Sequence, residues 1–157
     1  MTPECGRLPG AAGPRTLIND AAAADRRASG ASRMPEMSGV SPCCRFWLQG
    51  DLTRTIDVER VFAVAQETFG GIDIAVNTAG MVLRKPIVET TEAGYDVMHA
   101  VNAKAAYFFI REAGKRLNDG GKVITVVTSL PAAFTDGYST YAGAKAPVFV
   151  NGGRTTR

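Results

Sequence analysis

The sequence predicts an α/β fold built on a parallel, doubly wound sheet, and an incomplete one. Two observations carry this. From Phe46 onward, short apolar runs alternate with amphipathic stretches of helical length, as in strand–helix–strand units. The apolar runs, Ile72 to Val76 and Lys122 to Thr128, lack polar alternation, as expected of strands covered on both faces.

Each element has a local reason. Phe46-Trp47-Leu48 reads as a short strand ending at Gly50-Asp51. Thr55 is placed to cap a helix whose first turn carries Asp57 and Glu59, charges that suit the helix dipole. Val58, Val61, Phe62, Ala65 and Phe69 recur at helical spacing, and Gly70 ends the run. Ile72 to Val76 is the next strand. A long helix then spans Gly94 to Leu117, with Met98, Val101, Asn102, Ala105 and Phe109 along one stripe. Asn118-Asp119-Gly120-Gly121 makes a turn, and Lys122 to Thr128 another buried strand. The next helix bears Tyr141 and Lys145, contains Pro147 and meets Asn151-Gly152-Gly153. Trp47 and the phenylalanines read as core.

Residues 1–45 contrast with this. They are Pro, Gly, Ala, Arg and Ser with few branched or aromatic side chains, and only Thr16 to Arg27, around Ala21 to Ala24, has helical propensity. The chain is expected to divide into a poorly structured segment, 1–45, and a partial domain, 46–157.

The whole-chain properties narrow the function classes. A length of 157 residues suits one domain. The net charge of +3 is mild and its cations are scattered, which argues against a nucleic-acid partner. Three cysteines, Cys5 and the adjacent Cys43 and Cys44, make neither a disulfide framework nor a zinc spacing, so no metal is expected. With no apolar stretch of membrane-spanning length and no secretory signal pattern, the expectation is a soluble, cytoplasmic protein.

The chemistry concentrates in three places. Tyr141 and Lys145, four apart, share one helix face. An ammonium beside a phenol favours the ionised phenol, drawing a group of ordinary pKa about 10 toward acid–base use. Ser129, at the end of an apolar strand, is placed to hydrogen-bond the same reacting oxygen. Proton donor, pKa tuner and oxyanion partner together describe carbonyl reduction or alcohol oxidation. Asn77-Thr78-Ala79-Gly80 closes the other apolar run.

In these motifs and their order, from Phe46 to about Val148, the chain resembles the short-chain dehydrogenase/reductase family of NAD(P)-dependent oxidoreductases. The resemblance implies a Rossmann-like sheet and a catalytic tetrad of Asn102, Ser129, Tyr141 and Lys145. It implies cofactor contacts from Asp51 (to adenine), Asn77, Ala79, Gly80, Tyr141 and Lys145. The cofactor is NADP or NAD, and the substrate a small carbonyl or alcohol. A homo-oligomer through the long helix is implied, with no membrane. Bland readings stand beside these: Asp51 as a helix-entry residue, Asn102 as partner of a neighbouring carbonyl, Thr128 as a competing hydroxyl. His99 is assigned no role.

The family's glycine-rich phosphate turn has no match. Gly6, Gly10 and Gly13 have nearly the right spacing, but Met1 to Cys5 is no buried strand and Pro14 comes directly after. The segment after Val148 also departs from the family. The expectation is therefore a fragment with its strand ending near Ser129 exposed at an edge. The rival reading is a non-catalytic remnant that pairs with an intact relative through its helices.

Overall fold

The computed structural model describes residues 16–19, 48, 50–130 and 135–150. Its sheet has three parallel strands, β1 (Thr16–Asn19), β2 (Ile74–Asn77) and β3 (Lys122–Thr125), in the order β1-β2-β3. Asn19 is opposite Asn77, and Asn77 opposite Thr125. The three strands therefore end level, and their carboxyl ends form one rim. In open parallel sheets that rim is where ligands bind. The architecture is an incomplete, Rossmann-like α/β fold.

Helix α1 (Thr55–Phe69) ends because Gly70 adopts φ 73°, a left-handed cap whose N–H reaches the Gln66 carbonyl. The second long helical run has three parts: α2 (Glu92–His99), a π-helical turn (Ala100–Lys104) and α3 (Ala105–Arg116). Helix α4 spans Ser139–Val150. It passes through Pro147, which has no N–H for the carbonyl of Gly143; that residue is exposed, so water can serve the carbonyl.

The core lies where α1 and α3 meet the sheet. Val58, Phe62, Ala65, Ile72, Ala75, Phe109 and Ala113 form it, with the rings of Phe62 and Phe109 5.0 Å apart. Burying each ring stabilises the fold by about 1.5–3 kcal/mol. At the edge of this seam the buried carboxylate of Glu112 accepts hydrogen bonds from Arg111, Lys115 and Arg116. Arg111 also reaches Glu59, and Arg116 reaches Gln66, so the cluster ties α3 to α1. Burial alone would raise the Glu112 pKa. The three cationic donors outweigh it and hold the carboxyl below its ordinary value.

Several local expectations are corrected. The Thr16 region, read as helix-prone, supplies strand β1, because four extended residues beside β2 gain ladder partners along that side. The sheet thus has a strand beside β2 where the sequence pattern shows none. Gly6, Gly10 and Gly13 precede β1 in the chain, whereas a phosphate turn must come after its strand. After β1 the chain continues as Asp20-Ala21-Ala22-Ala23-Ala24, with no glycine before Gly30.

The strand expected to end at Gly50-Asp51 does not extend into its described residues: Leu48 and Gly50 are irregular, while Phe46 and Trp47 lie outside those described. Helix α1 has Arg54, not Thr55, at its N-cap, and no side chain caps it. The second run starts at Glu92 rather than Gly94, because the Thr91 hydroxyl accepts the Gly94 N–H at 3.2 Å. The open edge expected of the strand that leads to Ser129 is present, although the apolar run alone reads as a buried strand. Val123, Ile124, Val126 and Val127 are all exposed, because β2 is the only sheet neighbour of β3 among the described residues. Among the described residues, no helix is long and apolar enough to cross a membrane.

Candidate active site

The site is built where β2 and β3 end. Asn77, the last residue of β2, is buried, and its Oδ1 accepts the Ala79 N–H at 3.1 Å. This side-chain turn bends Asn77-Thr78-Ala79-Gly80 sharply off the strand. The Asn77 carbonyl accepts the Val126 N–H at 2.9 Å, holding the continuation of β3 alongside.

Asn102 approaches from the π-helical turn. Its Oδ1 accepts the Met81 N–H at 3.2 Å, and its Nδ2 donates to the Met81 carbonyl at 2.9 Å and the Met98 carbonyl at 3.1 Å. The Met98 carbonyl is four residues back, so this bond closes on the helix's own backbone. A π turn within an α-helix often marks a functional site, since it aims one side chain out of the helical phase.

Lys145 comes from α4. It is 4% exposed, and its ammonium donates to the carbonyls of Ala79 and Val126, both at 3.3 Å. Loss of hydration pushes its pKa below the ordinary lysine value. The ammonium thus bridges the chain segments that leave β2 and β3. No carboxylate neutralises it among its hydrogen-bond partners.

Gly80 allows the Lys145 ammonium and the Asn102 amide to approach the backbone closely. A Cβ at that position would stand 3.0 Å from Lys145 Nζ and 3.2 Å from Asn102 Oδ1. Glycine, itself exposed, leaves that space open above a buried ammonium and a buried amide.

Tyr141 is half-buried, one turn before Lys145 on α4. Its ring meets that of Tyr138 edge-on, centroids 6.3 Å apart. Ser129 is exposed just past the end of β3. The rival hydroxyl of Thr128 accepts the Leu130 N–H at 3.3 Å and is committed to a local turn. Asp51 is not brought to this cluster. Its carboxylate accepts the Thr53 N–H and hydroxyl at 3.0 and 2.7 Å, a turn that leads into α1. His99 donates Nδ1–H to the Tyr95 carbonyl at 3.0 Å and stacks on the Tyr95 ring.

Sequence reasoning missed the residues that fasten α4 to the loop after Gly80. Arg84 lies 5.5 Å over the Tyr138 ring, and the Lys85 N–H donates to the Gly137 carbonyl at 2.8 Å. The available signal was spacing, since Tyr138 stands three residues before Tyr141, just ahead of the first turn of α4.

The chain is similar to several known proteins. Residues 12–150 match the family model described as enoyl-(acyl carrier protein) reductase. The hydroxynaphthalene reductase-like protein Arp2 of Metarhizium brunneum is 36% identical over 104 residues, covering 64% of this chain and 38% of that protein. A short-chain dehydrogenase/reductase of Pestalotiopsis microspora is 32% identical over 102 residues. Among solved structures, a dehydrogenase from Burkholderia cenocepacia with bound NADP superposes with a TM-score of 0.70 at 43% identity, covering 87% of this chain and 50% of that one. A dehydrogenase/reductase from Sinorhizobium meliloti superposes at 0.68 with 32% identity, covering 85% of this chain and 51% of that one. The chain thus spans 38% of the length of the curated relative and about half of these solved chains.

Proposed function

Because the chain belongs to the short-chain dehydrogenase/reductase family, we propose that its site is built for NAD(P)-dependent interconversion of a small carbonyl compound and its alcohol. The observation that carries this reading is Lys145. A buried lysine whose partners among the described residues are carbonyls costs stability that an apolar residue would not, so its presence beside an exposed glycine points to use.

The residues present fit one half of a nicotinamide dinucleotide. The Lys145 ammonium has a third N–H beyond the two given to carbonyls, suited to a ribose hydroxyl, and Gly80 leaves room for that sugar. Asn77, Ala79 and Gly80 would line the ribose side. When bound, such a cofactor supplies or accepts the hydride. Tyr141 gives the proton to the carbonyl oxygen, or takes it from the alcohol. Ser129 hydrogen-bonds that oxygen as charge develops on it. Asn102 holds the Met81 backbone in place above Lys145, a polar path for the proton toward solvent.

Titration with NADPH and NADH, followed by nucleotide fluorescence, tests the reading. A saturable change that Lys145→Ala abolishes is expected. Tyr141→Phe should keep this binding and lose turnover of an aromatic aldehyde or ketone. No change with either nucleotide would overturn the reading and favour a non-catalytic chain. Turnover unaffected by Tyr141→Phe would remove Tyr141 from the mechanism.

A further inference from the structure

Beside the Tyr141 turn lies an open cavity of about 630 Å³, between the 3₁₀ turn Ile87–Glu89 and the start of α4. Ile87, Val88, Leu130, Tyr138 and Ala142 give it largely apolar walls, Thr135 and Ser139 add hydroxyls, and Asp136 is the single charged residue among its described lining. Two of these apolar side chains have no cover: Ile87 is 70% and Val88 93% exposed. Paired apolar exposure at the mouth of a cavity marks a surface that a ligand covers.

We propose that this cavity takes the apolar, uncharged body of the carbonyl substrate, and that Tyr138 is the residue that sets its fit. The proposal rests on the oxidoreductase reading and adds the substrate's chemistry to it. Tyr138 both lines the cavity and touches Tyr141, so its ring carries the position of the bound body to the proton donor. The ring is braced from outside. Arg84 stacks over it, and the Lys85–Gly137 hydrogen bond fixes the backbone beside it. The two sides of this clasp are drawn together again by the close approach of the Thr90 and Thr140 hydroxyls, 3.5 Å apart. Charge selects against anions. A carboxylate or phosphate in the cavity would meet Asp136 on a wall with no cation among its described lining residues, with the Arg84 guanidinium turned to the Tyr138 ring. A flat bicyclic ketone suits these walls, because Tyr138 offers an aromatic face or edge to it.

The test compares two bicyclic probes of similar size, 2-tetralone (neutral) and 2-naphthoate (anionic), by saturation-transfer NMR and by shifts of the Ser139 and Ala142 amides. The neutral ketone is expected to bind and the carboxylate to bind roughly tenfold more weakly or not at all. Asp136→Lys should reverse that order. Tyr138→Phe should keep ketone binding, while Tyr138→Ala weakens it by about tenfold. Val88→Asp, at an exposed position with no packing to lose, should weaken it as well and guards against misfolding of Tyr138→Ala. Equal binding of both probes, or unchanged binding in both Tyr138→Ala and Val88→Asp, would overturn the proposal. These readouts need no nucleotide, so ketone binding without NADPH binding sinks the oxidoreductase reading alone. NADPH binding without ketone binding sinks this one alone.

Discussion

At the scale of single residues, the site depends on buried polar groups that answer one another. Asn102→Ala leaves the Met81 N–H and carbonyl and the Met98 carbonyl without their partners. The expected cost is about 1–3 kcal/mol, read as a lower thermal midpoint, and Asn102→Asp should cost at least as much, because a buried carboxylate oxygen would face the Met81 and Met98 carbonyls in place of the amide donor. Gly80→Ala acts on function more than on folding. Its Cβ would stand 3.0 Å from Lys145 Nζ, at the free end of a flexible side chain that can yield by a few tenths of an ångström. Nucleotide affinity should therefore fall while the thermal midpoint stays near that of the parent; an unchanged affinity would show that the space over Gly80 is not used. The titration of Lys145 runs opposite to that of a paired lysine. Its pKa is lowered in the fold, so the penalty for the buried ammonium is present below the folded value and is relieved as pH rises toward 10.5.

At the scale of elements, the α1–α3 seam carries a testable pH dependence. The folded-state pKa of Glu112 lies below 4.5, so its contribution is present above that pH and lost as pH falls through the folded value. Glu112→Gln should lower stability at neutral pH by about 1–3 kcal/mol, toward the low end because Arg111, Lys115 and Arg116 are partly exposed. The gap between parent and variant should close on acidification below pH 4.5. A gap independent of pH would mean that the charge of Glu112 does not matter. The legibility of these elements in the sequence reflects their physics. Helix α1 was plain because Val58, Phe62 and Ala65 repeat at helical spacing and Gly70 stops them. Strand β1 was hidden because Thr-Leu-Ile-Asn is too short to show a period, and its stability comes from β2, a partner distant in sequence. The π turn was hidden as well: one extra residue in a helical turn leaves an apolar stripe that still looks helical. Thus the spacing of Tyr141 and Lys145 was readable, but the bridge from Lys145 to the Ala79 and Val126 carbonyls was not.

At the scale of the whole molecule, the open side of β3 sets the behaviour in solution. Its exposed valines and isoleucine, on a strand with free backbone groups along one side among the described residues, invite pairing with another strand. Self-association that rises with concentration is expected, and Ile124→Lys should reduce it in sedimentation velocity, since a charge at an edge opposes pairing. Equal association in parent and variant would place the contact elsewhere. The same edge has a readout in amide exchange. The N–H groups of Lys122 and Val126 donate inward, to Asp73 and Asn77, both at 2.9 Å. Parallel pairing repeats every second residue, so the N–H of Ile124 points inward too, while those of Val123 and Thr125 point to the open side. Deuterium uptake along the strand should therefore alternate, slow at 122, 124 and 126 and fast at 123 and 125. Raising the protein concentration should slow the fast positions first, reporting the moment at which a neighbour takes up the vacant side.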